Sequence, residues 1–292
     1  MVELVQTPSF VMNEFEGQRL HIVGASGKLG HDLGNAALAG GLEVTEKVSV
    51  ANYVALCTPS HIADLLISNN VYANKTVIDM SGAAKQKGIG QYGLMRTEAK
   101  PWSTVFDMSA NIYTNPGCIA SAVILGLGAA GLEGISRPKS ISVVSVGGQT
   151  HAPHIEQGNV KLARRLNNHP HVREIEKAFD NEVEVYSFMP IIADVPAGLM
   201  VTVHGKAIPN LSLRYGKDNL SVNDVIGTHL LKHRLEIDPH QKTRHGSRRH
   251  SCDPLKAQDK AFDFSLGVVI DNVRFVTNNA IQLIRYLGRS RN

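Results

Sequence analysis

The chain has 292 residues, of which 43% are hydrophobic and 19% are charged, and its formal net charge is +4. This length suits one large α/β domain or two interlocked ones, and the composition excludes disordered, collagen-like and disulfide-scaffold proteins. The basic excess lies in one stretch, because residues 232–250 contain six Lys or Arg and two acidic residues. The remaining chain is about neutral, which argues against a nucleic-acid-binding surface.

The cysteines and the apolar runs indicate the cellular compartment in which we expect the protein. Cys57, Cys118 and Cys252 cannot form a disulfide framework, which favours a reducing, cytoplasmic setting and allows one functional thiol. The first ten residues include Glu3 and none of the Lys or Arg that begin a signal peptide. The longest apolar run, 118–132, is too short to span a bilayer, so it predicts a buried helix and we expect no membrane partner.

Strands alternate with helices in the first part of the chain. The predicted strands are 19–23, 42–44, 52–57 and 76–80, and the predicted helices are 31–39 and 61–67. Apolar strands in this alternation predict a parallel sheet covered on both faces, which is the doubly wound, Rossmann-type α/β fold. We expect residues 1–117, joined by 271–292, to form this dinucleotide-binding domain.

The pattern changes after residue 118. Strands are predicted at 140–146, 182–188, 199–204 and 262–270, and helices at 118–132, 154–179 with an interruption near 167–170, and 280–287. This mixture predicts an α+β second domain over residues 118–270. Residues 207–260 are rich in polar and charged side chains and predict loops around one amphipathic helix near 222–233.

A glycine-rich loop follows the first strand. Gly24, Gly27 and Gly30 form the pattern G-x-x-G-x-x-G, in which glycines permit a tight turn and the N–H groups of the helix start face a phosphate. An ordinary strand–helix turn is the alternative. The residues predicted to bind a dinucleotide are Gly24, Ala25, Ser26, Gly27, Lys28, Leu29 and Gly30.

The choice between NADP and NAD depends on charges near this loop. An acidic residue about 20 positions after the loop favours NAD, and Glu46 is a candidate. Lys47 lies beside it, and Ser26 and Lys28 lie in the loop itself. These hydroxyl and cationic groups favour the 2′-phosphate of NADP slightly, and NAD stays possible.

Cys118 follows a turn motif, Asn115-Pro116-Gly117, and opens the predicted apolar helix. A thiol at a helix N-terminus experiences the positive end of the helix dipole, which favours the thiolate. A buried structural cysteine is the alternative, since cysteine often behaves as a small hydrophobic residue. Cys57 and Cys252 lack such a setting.

Three motifs occur in order along the chain: Ala25-Ser26-Gly27, Asp79-Met80-Ser81-Gly82 and Asn115-Pro116-Gly117-Cys118. Together they resemble the semialdehyde dehydrogenase superfamily, and most nearly the N-acetyl-gamma-glutamyl-phosphate reductases. Weaker matches are the run 169–176, Phe188-Met189-Pro190 followed by Gly198, and Asp271-Asn272 followed by Ala280-Ile281-Gln282. The resemblance covers residues 19–287 apart from the basic stretch.

The resemblance implies a cysteine mechanism. Cys118 would attack an acyl phosphate and release phosphate, and NADPH would reduce the resulting thioester to a semialdehyde. His169 or His171 would act as general acid and base, and Glu174 would fix the tautomer of the catalytic ring. On a helix, residues at i and i+2 do not share a face, so only one histidine should point at Cys118.

The resemblance also implies further binding residues. Ser81, Gly82 and Asn272 would join the cofactor site, and Asn115, Gly147, Gly148, Arg164 and Arg165 would bind substrate. The two glycine amides would hold a phosphate or oxyanion, with a plain turn as the alternative. The arginine pair would grip an anion, with a solvated helix face as the alternative. His151 and His154 have no further ligand cluster near them in sequence, so no metal site is predicted.

The chain departs from the family pattern at several polar positions. Ile191 replaces a histidine, Ala197 replaces an arginine, and Phe275 stands where the family has a lysine. The losses favour a changed substrate, and the loss of the arginine fits a substrate with less anionic charge. The cluster 244–250 is a solvated loop, an anion site or a contact with a partner subunit.

The leading hypothesis is therefore an NADPH-dependent oxidoreductase of amino-acid biosynthesis, as in the arginine pathway, that reduces N-acetyl-gamma-glutamyl phosphate or a related acyl phosphate. One alternative is an acyl-thioester reductase or aldehyde dehydrogenase of the same superfamily. Another is a non-catalytic dinucleotide-binding homologue. Family members associate through the sheet of the second domain, which implies a homodimer or homotetramer.

Overall fold

The computed structural model describes residues 15–96, 100–101, 106–129, 136–149, 158–162, 166, 168–195, 198–209 and 262–289. The chain divides into two compact units, Met1–Pro116 with Val273–Asn292, and Gly117–Asn272. Each unit has its own sheet and its own buried apolar side chains. The functions predicted for the two domains remain predictions.

The elements in chain order are β1 (Arg19–Val23), α1 (Lys28–Ala39), β2 (Glu43–Val44), β3 (Tyr53–Leu56), α2 (Ser60–Ser68), β4 (Thr76–Asp79), α3 (Ala83–Lys87), β5 (Gln91–Tyr92), β6 (Met95–Arg96), β7 (Lys100–Pro101), β8 (Ile112–Thr114), α4 (Cys118–Ala129), β9 (Ser136–Gly147), β10 (Val160–Leu162), α5 (Pro170–Ala178), β11 (Glu184–Ala193), β12 (Leu199–Pro209), β13 (Phe262–Ile270) and α6 (Asn272–Arg289). A single 3₁₀ turn at Val48–Val50 precedes β3.

The first unit contains a six-stranded parallel sheet in the order β2-β1-β3-β4-β8-β5. Strand β3 is buried throughout because its alternate side chains enter two separate clusters. Tyr53 and Ala55 pack with residues of α1 and α6, whereas Val54 and Leu56 pack with residues of α2. Helices therefore cover both faces of the sheet, which confirms the predicted doubly wound fold.

The order of the strands indicates where a fold of this kind binds a ligand. Strand β1 has β2 on one side and β3 on the other, so the strand order reverses between β1 and β3. Ligands of open α/β sheets bind outside the carboxyl ends of the strands at this reversal. The glycine-rich loop begins immediately after β1 and therefore lies at that position.

The second unit contains a five-stranded mixed sheet in the order β10-β11-β9-β12-β13. Strands β9 and β11 are parallel, and the other neighbours are antiparallel. Helix α4 lies close against one face, because a Cβ built on Gly126 would be 2.7 Å from Val268 Cγ2. Together with α5 in the same unit, this sheet confirms the predicted α+β organisation.

One segment of the second unit differs in type from its prediction, whereas β9, β11 and β12 differ only in their bounds. The helix expected over 154–179 is wrong in part, because Val160–Leu162 forms the short edge strand β10 and α5 begins only at Pro170. The physical reason is local. The main-chain groups of β10 pair with the edge of β11, and Pro170 takes the first position of a helix, where its missing N–H costs nothing.

Other predictions fall on residues that the structure does not describe. The amphipathic helix near 222–233, Cys252 and the basic stretch 232–250 lie outside the described residues. Within the described ranges, no helix combines the length and the hydropathy that crossing a bilayer requires.

Candidate active site

The glycine-rich loop can be built only from glycine at two of its positions. Gly24 has a φ of +87°, and a Cβ there would lie 2.6 Å from the carbonyl oxygen of Cys57 at the end of β3. A Cβ at Gly30 would overlap the carbonyl oxygen of Gly24. The loop therefore packs tightly against the end of β3 and against the first turn of α1.

The start of α1 has the chemistry of an anion site. Gly27 occupies the N-cap position, so no side chain satisfies the N–H groups of the first turn. The loop residues 25–28 are exposed, and the first turn contains no acidic residue. These uncapped N–H groups and the helix dipole together fit a phosphate group of a dinucleotide.

A buried carboxylate organises the loop after β4. Asp79 Oδ1 accepts hydrogen bonds from the N–H and the hydroxyl of Ser81 at 2.9 and 2.6 Å, and Oδ2 accepts from the Ala84 N–H at 2.8 Å. Gly82 follows with a φ of +80°. These contacts place Ser81 and Gly82 at the carboxyl end of β4. Asp79 was not predicted as a site residue, although the motif that it begins was recognised.

Asn115 ties the end of β8 to helix α6. Its Nδ2 donates to the carbonyl of Val276 at 3.1 Å, and its Oδ1 accepts from Asn279 Nδ2 at 2.8 Å. Asn279 is buried and also bonds to main-chain atoms of Gly93 and Met95. The amide of Asn115 therefore has a structural function, and its substrate role stays a prediction. Asn279 was not predicted as a site residue, because the sequence alone does not show that its side chain is buried.

Cys118 is the first residue of α4 and carries a half-buried thiol. The residue before it, Gly117, accepts hydrogen bonds at its carbonyl from the N–H and the hydroxyl of Ser121, both at 2.8 Å. The thiol thus lies at the positive end of the α4 dipole, as the sequence predicted for this position.

Two side chains of α5 meet the main chain next to this thiol. Glu174 Oε1 accepts the N–H of Gly117 at 2.8 Å, and the glutamate is 5% exposed. A Cβ built on Gly117 would overlap Nε2 of His171 and would lie 3.1 Å from Glu174 Oε2. The structure therefore brings His171, Glu174 and the residue preceding Cys118 into one cluster.

His169 lies outside the helix that bears His171. It is the N-cap of α5, with φ −68° and ψ 138°, and its Nδ1 accepts the His171 N–H at 3.2 Å. Its ring stacks on Phe188 with centroids 5.0 Å apart, and it lies 4.6 Å from the ring of His171. The two histidines therefore differ in backbone conformation, and the helical spacing argument does not apply to them.

The loop after β9 uses its amides within the protein. The Gly148 N–H donates to the Gly198 carbonyl at 3.0 Å, and the Gln149 N–H donates to the Val195 carbonyl at 2.8 Å. The predicted oxyanion role of Gly148 would require this bond to break. Gly147 is buried at the end of β9, in register with Leu199 of β12, and its predicted role remains a prediction.

Asp194 joins the loops that surround Gly148. Its carboxylate accepts the Gly158 N–H at 2.7 Å and a hydrogen bond from the Gln149 side chain. These two bonds, that from Gly158 first, hold the pKa of Asp194 below its ordinary value. Asp194 was not singled out from the sequence, because a lone aspartate after a strand carries no motif.

Several residues that the sequence analysis discussed are not included in the clusters described above. Arg164, Arg165, His151, His154 and Ala197 lie outside the described residues. Asn272 is buried at the first position of α6, Ile191 is partly buried in β11, and Phe275 lies in α6. In the described part of the chain, no group of three or more His, Cys, Asp or Glu side chains could hold a metal ion.

Cys57 contrasts with Cys118. Burial, and secondarily the nearby charge of Asp79, raises the pKa of the Cys57 thiol to about 12. Cys57 is therefore a neutral thiol at physiological pH, unsuited to act as a nucleophile.

Comparison with known proteins gives relatives in sequence and in structure. No protein-family model matches the chain. An N-acetyl-gamma-glutamyl-phosphate reductase of Geobacillus sp. (strain WCH70) is 25% identical over 199 residues, which are 59% of this chain and 57% of that protein. The chain thus spans about half the length of the curated relatives it matches.

Solved structures share the fold over nearly the whole chain. Aspartate semialdehyde dehydrogenase II of Vibrio cholerae matches with a TM-score of 0.67 and 14% identity, covering 94% of this chain and 99% of that one. An aspartate semialdehyde dehydrogenase with NADP from Candida albicans matches with a TM-score of 0.59 and 11% identity, covering 92% and 98%. The chain therefore has the fold of the semialdehyde dehydrogenases, and its resemblance to that superfamily is confirmed.

Proposed function

We propose that the chain is an NADP-dependent oxidoreductase that reduces an acyl phosphate to a semialdehyde through a thioester on Cys118. The observation that carries this proposal is the cluster at the start of α4, where His171 and Glu174 contact the residue preceding Cys118. A thiol at a helix N-terminus with an imidazole beside it is the arrangement that activates a cysteine nucleophile.

The reaction balances with these residues. His171 takes the proton of the Cys118 thiol, and the thiolate attacks the acyl carbon. The bond between that carbon and the phosphate oxygen breaks, phosphate leaves, and a thioester remains on Cys118. NADPH, when bound, supplies the hydride that reduces the thioester carbon. The C–S bond then breaks, the aldehyde leaves, and His171 returns the proton to the sulfur.

Glu174 supports this cycle through the main chain. By accepting the Gly117 N–H it holds the start of α4 against α5, so that the thiol and the imidazole keep one relative position. Glu174 is therefore assigned to the orientation of the acid and base.

The cofactor assignment uses the first unit. Residues 24–30 and the uncapped start of α1 fit the diphosphate of a dinucleotide. Strand β2 ends at Val44 and is followed by Thr45, Glu46 and the exposed Lys47. A threonine hydroxyl at the strand end and a cation close to it suit the 2′-phosphate of NADP better than a free 2′-hydroxyl.

The substrate we propose is N-acetyl-gamma-glutamyl phosphate or a related amino-acid acyl phosphate, as the names of the curated relatives indicate. Ile191 stands in β11 where the family pattern has a histidine. This apolar replacement favours a substrate with fewer anionic groups at that position. Such a reaction belongs to amino-acid biosynthesis, and chemistry that depends on a reduced cysteine suits the reducing cytoplasm.

We also propose that copies of the chain associate through the five-stranded sheet of the second unit. The face away from α4 exposes Met189, Met200 and Val269, whose exposed fractions are 40%, 45% and 41%. These side chains come from three strands of one sheet and form an apolar surface of the kind that a second copy covers.

The direct test measures the reverse reaction. The protein is given N-acetylglutamate semialdehyde, NADP and inorganic phosphate, and NADPH formation is followed by absorbance. We expect formation that requires phosphate and disappears in Cys118→Ser, with Cys57→Ser as the matched control that retains it. Turnover that needs coenzyme A instead of phosphate would indicate the thioester reductase. NADP binding by calorimetry without turnover of any aldehyde would indicate the non-catalytic homologue.

A further inference from the structure

We infer that His169 is a positioning residue that sets the orientation of His171, and that it exchanges no proton with the substrate. The inference rests on the proposed function, in which His171 serves Cys118. It assigns different roles to two histidines that lie two residues apart in the sequence.

The first support is the hydrogen bond at the start of α5. Nδ1 of His169 accepts the His171 N–H at 3.2 Å, as an N-cap side chain does for the second residue of a helix. A main-chain N–H can only donate, so Nδ1 must carry the lone pair and the ring proton must lie on Nε2. Nδ1 of His169 is therefore occupied as the acceptor of the hydrogen bond that holds His171 in place.

The second support is the packing of the His169 ring. It stacks on Phe188 with centroids 5.0 Å apart and an interplanar angle of 26°, and Phe188 is 1% exposed in β11. The ring is thus held both at an edge, by the cap bond, and on a face, by the phenyl group. Turning the ring out of this position would cost His169 both contacts.

The third support is the different position of His171. Its Nε2 lies against the Cα of Gly117, directly before Cys118, and its main-chain N–H is the group that His169 holds. The cap bond therefore fixes the backbone from which the His171 ring reaches the start of α4. A loosened first turn would move the ring of His171 relative to Cys118.

The experiment compares two substitutions at each histidine. Asparagine and alanine both lack a group that exchanges protons near neutral pH, but asparagine supplies an N-cap oxygen and alanine does not. We expect His169→Ala to lower kcat about tenfold or more with little change in KM, because small misplacements of an acid or base are costly. His169→Asn should recover to within about threefold of the wild-type kcat, since the cap remains.

Under this inference, the same two substitutions have a different effect at His171. His171→Ala and His171→Asn should both lose about 100-fold or more in kcat, because neither can transfer a proton. If His169→Asn is as inactive as His169→Ala, then His169 supplies more than the cap and the inference is wrong. Recovery of activity in His171→Asn would contradict it as well.

A second readout separates this inference from the proposed function. The rate of Cys118 alkylation by iodoacetamide needs no substrate, and Cys57 is the internal control in the same molecule. We expect the alkylation rate to fall in His169→Ala and to recover in His169→Asn, with circular dichroism showing that both fold. A wild-type protein without turnover would refute the proposed function alone. Equal alkylation rates in wild type and His169→Ala would refute the positioning role alone.

Discussion

Gly117 is a residue of the candidate site that tolerates little change. Its missing side chain leaves room for Nε2 of His171, and its N–H is bonded to Glu174. Gly117→Ala should therefore displace the imidazole ring of His171 from the start of α4. We expect a loss of about 100-fold in kcat, the size of an acid–base contribution, measured with the semialdehyde assay.

The control for this substitution is Gly34→Ala. Gly34 lies in α1, and a Cβ there would lie 3.6 Å from Ile22 Cδ1, which is an ordinary van der Waals contact. Alanine in a helix is more favourable than glycine by about 1 kcal/mol. Activity should remain in Gly34→Ala, and a fully active Gly117→Ala would show that His171 is not confined as the structure has it.

Cys57 gives a prediction about pH. Its pKa of about 12 in the folded protein lies above the ordinary value of 9.0, so the unfolded thiol loses its proton first as the pH rises. Stability should consequently fall above that ordinary value, by up to about 1.4 kcal/mol per pH unit from this group. In urea unfolding at alkaline pH, Cys57→Ala should show a shallower decline than the wild type, and parallel declines would contradict the assignment.

Residue identities were easier to predict from the sequence than residue roles. The motif at 115–118 singled out Cys118, and the resemblance to the reductase family singled out His169, His171 and Glu174. The sequence did not distinguish the two histidines, because the difference is a cap conformation at His169 and a contact with Gly117. Both arise from the packing of α5 in three dimensions, which residue spacing does not encode.

At the level of elements, the loop after β4 depends on one buried side chain. Asp79→Ala would leave the N–H groups of Ser81 and Ala84 without their acceptor and should lower the free energy of unfolding by about 2 to 5 kcal/mol. Asp79→Asn should cost less, since one carbonyl oxygen remains. Urea unfolding monitored by circular dichroism measures both changes.

The chain offers a matched control for this prediction. Asp107 makes the same turn, accepting the N–H and hydroxyl of Ser109 at 2.8 and 2.7 Å, but its carboxylate is exposed. Water can replace the lost acceptor there, so Asp107→Ala should destabilise the fold much less than Asp79→Ala. Equal losses would mean that burial of Asp79 is unimportant.

Several apolar strands were predicted well, and the short edge strand β10 was not. β1, β3, β4 and β13 match their predicted strands to within a residue or so at each end, since each is a short run of mostly apolar residues between turn residues. β10 was predicted as helix because three residues with polar neighbours carry no period. Helix α6 begins eight residues before its prediction, at Asn272, because polar side chains such as Asn279 are buried within it.

For the whole molecule, the open face of the second sheet predicts association. Met200 lies in register with Val146 and Val269, so a charge placed at Met200 would enter the middle of this apolar surface. We expect Met200→Arg to reduce the oligomer to monomers in light scattering. Leu65→Arg, at an exposed apolar residue of the first unit, is the control that should leave the mass unchanged. A wild-type monomer would contradict the assignment of this face.

The measurement closest to the central claim is the detection of an acyl group on Cys118. The protein is mixed with the acyl phosphate in the absence of NADPH, and its intact mass and peptide masses are determined by mass spectrometry. The proposed mechanism predicts a single acyl adduct that maps to Cys118, is absent in Cys118→Ala and disappears when NADPH is added. An adduct that persists in Cys118→Ala, or no adduct in a protein that turns over the substrate, would contradict the thioester mechanism.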